Sequence, residues 1–106
     1  MKYKMKVTQG KHPVTEVIFE EEKYQLIGEM LLAERSFLPQ MLEALENILK
    51  KGEASESFAG NAFSMFITSE TTKIANDING EETEAPTKEL NKLIKRYQKQ
   101  NAKLHS

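Results

Sequence analysis

The sequence predicts an α+β fold: an antiparallel sheet of about five strands, with a central amphipathic helix and a C-terminal helix packed against the same core. Several short segments alternate apolar and polar residues, which is the period of a strand with one buried face. Residues 36–52 and 87–98 instead repeat apolar residues every three or four positions, as a helix does. The strands and helices come in blocks and do not alternate singly, which favours an antiparallel sheet.

Residues 36–52 are predicted to form the helix around which the core is built. Ser36 is a candidate N-cap, and Pro39 lies in the first turn, where its missing N–H breaks no helical hydrogen bond. Gly52 can adopt the left-handed conformation that ends a helix. The apolar face of this helix consists of Leu38, Met41, Leu42, Leu45, Ile48 and Leu49.

Four segments are predicted to be strands. Residues 2–8 alternate lysine with apolar side chains, and exposed lysines are typical of an edge strand. Residues 14–20 are rich in β-branched and aromatic side chains, which favour a second strand. After the central helix, the alternation in 62–68 and the threonines of 71–75 predict a hairpin with a tight turn.

Residues 20–32 fit two structures. Apolar side chains at alternate positions from Tyr24 to Leu32 suit a strand, but some of the same residues also satisfy the helical spacing. Gly28 weakens a helix by about 1 kcal/mol relative to alanine. We therefore predict a hairpin with a third strand over 24–31, and a helix docked beside the central one is the alternative.

The remaining segments are predicted from composition. Residues 53–57 are predicted to be a polar linker, and the acidic residues and Asn-Gly pair of 76–86 indicate a mobile loop. Thr87 is the predicted N-cap of the last helix, whose apolar stripe stops near Gln98. We expect residues 99–106 to fray.

Composition limits the possible classes of protein. The chain has 106 residues, of which 39% are hydrophobic and 29% charged, and we expect one globular domain over 1–106. Because it contains no cysteine, disulfides, thiol catalysis and cysteine-ligated metals are excluded. No apolar run is long enough for a signal peptide or a membrane span, so we expect a cytoplasmic protein without membrane contact. Its many lysines and glutamates indicate a bacterial origin.

Few residues could carry out catalysis. His12 and His105 are the only histidines, and each is expected to be solvated. No nucleophile elbow, glycine-rich phosphate loop or metalloprotease motif is present. The adjacent carboxylates at 20–22 and 81–82 lie in predicted turns, and the acidic loop lacks the ligand spacing of an EF-hand. The sequence therefore predicts no enzyme, no cofactor and no bound metal.

The predicted C-terminal helix carries a basic stripe. It consists of Lys88, Lys92, Lys95, Arg96 and Lys99. A second row of lysines on the first strand consists of Lys2, Lys4 and Lys6. Nucleic-acid binding through the stripe is the alternative function, and its affinity would fall steeply with salt. The scarcity of arginine and of interleaved aromatic side chains weighs against it, since these groups read and stack bases.

We predict a small non-enzymatic protein that binds another protein, as an adaptor, regulator, antitoxin or immunity-type module. Acidic and basic patches on separate elements suit the selection of a charged partner. Phe66 falls on the polar face of its strand. We expect the C-terminal helix to cover it, and the alternative is an exposed contact residue.

One short stretch resembles a known family. The sequence Ala59-Gly60-Asn61-Ala62-Phe63-Ser64-Met65-Phe66 follows the central helix and leads into a hairpin. In this order of elements it is similar to the YacL-like family of small bacterial proteins, which is uncharacterised. The resemblance implies no activity.

Overall fold

The computed structural model describes residues 1–104, which form six strands and three α-helices. In chain order these are β1 (Tyr3–Val7), β2 (Thr15–Phe19), α1 (Gln25–Ala33), α2 (Leu38–Leu49), β3 (Glu56–Ala59), β4 (Phe63–Ile67), β5 (Thr71–Asn76), β6 (Glu82–Pro86) and α3 (Thr87–Lys103). The α+β class is confirmed. The predicted sheet of about five strands is instead two antiparallel sheets, the hairpin β1-β2 and the four-stranded sheet β3-β4-β5-β6.

One hydrophobic core joins the helices to both sheets. All three helices contact the four-stranded sheet, and β2 contacts α1 and α3. Along β4, Phe63, Met65 and Ile67 are buried, whereas the residues between them are partly or largely exposed. In α2, Leu45 is completely buried, and the predicted apolar face of this helix does point into the core. The helices therefore cover one face of the four-stranded sheet and leave the other uncovered.

The two ends of α2 differ from the prediction in one respect. Ser36 is not the N-cap, because it lies in a 3-10 turn, Arg35–Phe37, that leads directly into the helix. Phe37 is the N-cap, and it caps without a side-chain hydrogen bond. At the other end, Gly52 has φ 74°, which is the left-handed conformation predicted for it.

The predicted hairpin over residues 20–32 is wrong, and the segment contains a helix as in the alternative. This helix packs mainly against β2 and the four-stranded sheet. Residues 25–33 form α1, preceded by a single 3-10 turn at Glu22–Tyr24. Gly28 is buried against β2, where an added Cβ would lie 3.0 Å from the Val17 carbonyl oxygen. The glycine that disfavours a helix locally therefore allows this helix to approach the neighbouring strand.

The predicted linker and acidic loop both contain strands. Residues 56–59 pair with β4, and residues 82–86 pair with β5 at the edge of the sheet. Glu82 and Glu84 face outward on β6, so an acidic composition is compatible with a half-solvated strand. Only the connection between β5 and β6 is a turn, in which Gly80 has φ 79°.

The last helix is longer than predicted and begins differently. Thr87 is its first residue, not its N-cap, and the Thr87 hydroxyl donates to the Thr68 carbonyl oxygen at 2.7 Å. Helix α3 continues to Lys103, so the predicted frayed tail is helical up to that residue. Of that tail, residues 105 and 106 lie outside the described part of the chain, as does the expectation for His105.

Candidate functional site

A cationic groove lies between strand β1 and helix α3. Its volume is about 480 Å³. Tyr3, Met5 and Val7 contribute half-buried side chains to its wall. Basic side chains contribute much of the remaining lining, and these are Lys4, Arg96, Lys99 and Lys103.

Contacts between the hairpin and α3 hold the two sides of the groove together. Arg96 donates a hydrogen bond from Nη1 to the Tyr3 hydroxyl oxygen at 3.0 Å. The Arg96 guanidinium carbon lies 5.6 Å from the centre of the Tyr3 ring, which is within cation–π range. Farther along α3, the Asn101 side-chain oxygen accepts the Thr15 N–H at 3.3 Å.

Three of the cations in this groove, Lys4, Arg96 and Lys99, have no carboxylate partner within the described residues. No carboxylate contributes to its lining. Residues 1–104 contain no ion pair to Lys4 or Lys99, and the side-chain partner of Arg96 is a neutral phenol. Cations converging on a concave surface raise the local concentration of anionic ligands. The groove is thus suited to hold an anion.

The structure divides the basic stripe predicted on the last helix. Arg96 and Lys99 line the cationic groove, whereas Lys92 and Lys95 line a neighbouring depression. Lys88 is exposed and lines neither. The sequence prediction missed that β1 brings its own lysine beside this helix. The lysine alternation of that strand was visible, but its spacing contains no information about which helix it adjoins.

Carboxylates accompany the basic side chains around the groove. Glu46 pairs with Lys95 at 3.5 Å. Glu89 lies 2.9 Å from the Met1 amino group. Glu20 contributes to a third depression, at the start of β1. Cationic side chains nevertheless outnumber carboxylates in both depressions next to the groove.

Phe66 lies on the face of the four-stranded sheet that α3 does not cover. Its side chain is 54% exposed, on the outward face of β4 between Ser57 of β3 and Lys73 of β5. The expectation that α3 covers Phe66 is wrong, because α3 packs on the inner face of this sheet. Phe66 is therefore exposed, as the alternative prediction had it.

Several buried polar groups have no hydrogen-bond partner within residues 1–104, and Glu34 is the most unusual. Both of its carboxylate oxygens are unpartnered, and the residue is completely buried. The carboxylate lies against the backbone of Gly60, where an added Cβ would overlap the Glu34 oxygen. Since Glu34 is inaccessible to a ligand from outside, we give it no role in binding or catalysis.

The Tyr97 hydroxyl is also buried and unpartnered. Burial raises the pKa of Tyr97 above its usual value, an effect that the Arg35 charge opposes and the Glu16 charge reinforces. The folded state therefore resists loss of this proton more than the unfolded state does. The resulting stabilisation is complete below the unfolded pKa of about 10 and is lost as the pH rises above it.

We accordingly expect Tyr97→Phe to reduce the alkaline loss of stability. Urea unfolding of both proteins at about pH 8 and about pH 10.5 measures this directly, since those values bracket the unfolded pKa. Between these two pH values, the protein with Tyr97 is expected to lose more unfolding free energy than the Tyr97→Phe variant. Equal losses would show that the Tyr97 hydroxyl ionises as easily in the folded as in the unfolded chain.

The fold and the groove together define a small α+β protein with an anion-attracting surface. Residues 1–104 contain no helix long and apolar enough to cross a bilayer, and no group of three or more histidine, aspartate or glutamate side chains arranged to hold a metal ion. Comparison of the chain with protein-family models, curated proteins and solved structures found no match. The similarity to YacL-like proteins thus stays a resemblance over residues 59–66 and their order in the chain.

Proposed function

We propose that this protein is a non-enzymatic binding protein, of the adaptor or regulator type, that holds an acidic segment of a partner protein in the cationic groove. The observation that carries the proposal is the convergence of Lys4, Arg96 and Lys99 on one groove without a carboxylate in its lining. Complementary charge of this kind steers the encounter and selects the partner.

One feature favours an acidic protein segment over nucleic acid. A nucleobase needs an open aromatic face for stacking. The Tyr3 ring contacts Arg96, and its centre lies 5.9 Å from that of Phe19, so it is already engaged.

Fluorescence anisotropy with two labelled probes tests this proposal. The first is a short peptide in which glutamate alternates with threonine, and the second is a single-stranded oligothymidylate of the same formal charge. We expect the peptide to bind more tightly, and its affinity to fall as salt is added because exposed charges are screened. Binding of the oligonucleotide without binding of the peptide would overturn the proposal and favour the nucleic-acid alternative.

A matched pair of variants locates the binding surface. The groove variant combines Lys4→Gln, Arg96→Gln and Lys99→Gln, and we expect it to weaken peptide binding about tenfold or more, since each exposed charge contributes modestly. The control variant combines Lys11→Gln, Lys51→Gln and Lys88→Gln at exposed positions outside the groove. It removes the same charge, and we expect nearly unchanged binding. Equal weakening by both variants would show that net charge alone attracts the peptide.

A further inference from the structure

The outer edge of β1 has free backbone hydrogen-bonding groups. In the described residues β1 pairs with one strand only, β2. The Glu20 N–H donates to the Lys2 carbonyl oxygen at 3.0 Å, and the Thr8 N–H donates to that of Val14 at 2.9 Å. Because bonded and non-bonded pairs alternate in an antiparallel ladder, the even-numbered residues of β1 bond to β2. The N–H and C=O groups of Tyr3, Met5 and Val7 therefore point away from it.

These free groups belong to three residues that line the cationic groove, Tyr3, Met5 and Val7. An unpaired strand edge is a template for another strand. Here the template is placed beside the cations of α3. The groove thus offers a peptide both charge and a row of main-chain hydrogen bonds.

We infer, on the basis of the proposed function, that the acidic segment binds as an extended strand added antiparallel to the free edge of β1. Alternate side chains of such a strand would lie directly opposite Lys4 and Lys6 on the outer face of the hairpin. Glutamate or aspartate at those positions would form opposite-charge cross-strand pairs. The intervening side chains would lie over Met5 and Val7, beside the rim formed by Lys99.

The same lysines argue against a second copy of this protein as the occupant. Two β1 strands paired at their free edges would place lysines of one copy near lysines of the other. Like charges directly opposite one another in a sheet are destabilising. An acidic strand reverses the sign of that interaction, so the occupant is a partner of opposite charge.

Two N-methylated forms of the alternating glutamate–threonine peptide test this mode of binding. One form carries N-methyl groups on the threonines, and the other carries them on the glutamates. An added strand turns only alternate N–H groups toward β1, and each methyl group removes one donor. The threonines lie opposite Met5 and Val7, whose free backbone groups face the added strand. We therefore expect the threonine-methylated form to lose at least about tenfold in affinity, and the glutamate-methylated form to stay within about threefold of the unmethylated peptide.

The outcomes separate the mode of binding from the proposed function. If both forms bind as well as the unmethylated peptide, or if both lose affinity equally, strand addition is overturned while binding of an acidic segment stands. If the unmethylated peptide does not bind at all, the proposed function itself is wrong. A loss confined to the threonine-methylated form supports the added strand, and the groove variant is then expected to weaken binding of the glutamate-methylated form. A loss confined to the glutamate-methylated form would overturn the pairing of acidic side chains with Lys4 and Lys6.

Discussion

Leu45→Ala is expected to lower the free energy of unfolding by about 2–5 kcal/mol. Leu45 is completely buried on the face of α2 that points into the core. The substitution removes apolar contacts and leaves a cavity that close-packed neighbours fill only in part. Denaturant unfolding monitored by circular dichroism measures the loss.

Leu42→Ala in the same helix is the matched control. Leu42 is half-buried, so the same change of side chain should cost clearly less. Equal losses at the two positions would contradict the burial assigned to this helix. A loss below about 0.5 kcal/mol for Leu45→Ala, which is the size of an ordinary surface effect, would show that the core lies elsewhere.

Gly60→Ala is expected to lower the free energy of unfolding by about 1–3 kcal/mol. The added methyl group would overlap the Glu34 carboxylate and lie 3.2 Å from the Phe58 ring. Because Glu34 is completely buried, its carboxylate can make room only if it or its neighbours change position. Chemical denaturation measures this loss of unfolding free energy. The dependence of the free energy on denaturant concentration, compared between the variants, reveals any change in the compactness of the folded or unfolded state.

The double variant Glu34→Ala/Gly60→Ala separates overlap from other effects of the glycine. Removing the Glu34 carboxylate makes room for the new methyl group at residue 60. We expect Gly60→Ala to cost clearly less in the Glu34→Ala background than in the unchanged protein, because residues in contact are not additive. Equal costs in the two backgrounds would mean that the Phe58 ring, and not the Glu34 carboxylate, opposes the added methyl group.

Local periodicity was sufficient to predict the elements that have one buried face. Strands β1, β2, β4 and β5 and the core-facing side of α2 follow from alternation or from three-and-four spacing. Each of these patterns describes residues close together in the chain. Which side of such an element is buried can therefore be predicted without knowing how the rest of the protein is arranged.

The predictions failed where a distant part of the chain decides the structure. Residues 25–33 carry both periods, and the close approach of Gly28 to the Val17 carbonyl oxygen selects the helix. Residues 82–86 lack a clear apolar pattern, yet pairing with β5 makes them a strand. Phe66 is exposed because α3 packs on the other face of its sheet.

The candidate site shows the same division. The basic character of Arg96 and Lys99 on the last helix is evident from the sequence, as is the lysine alternation of the first strand. Their convergence on one groove requires the Arg96 to Tyr3 contact, which joins residues 93 positions apart.

By itself, the sequence determined the α+β class, the core-facing side of the central helix and the sign of the charge on each element. The tertiary structure alone decided that 25–33 is a helix, that the strands form two sheets, and that the lysines of β1 meet the cations of α3. The physical reason is that periodicity records which side of an element is buried. Only packing determines which element it is buried against, and so which charged surfaces become neighbours.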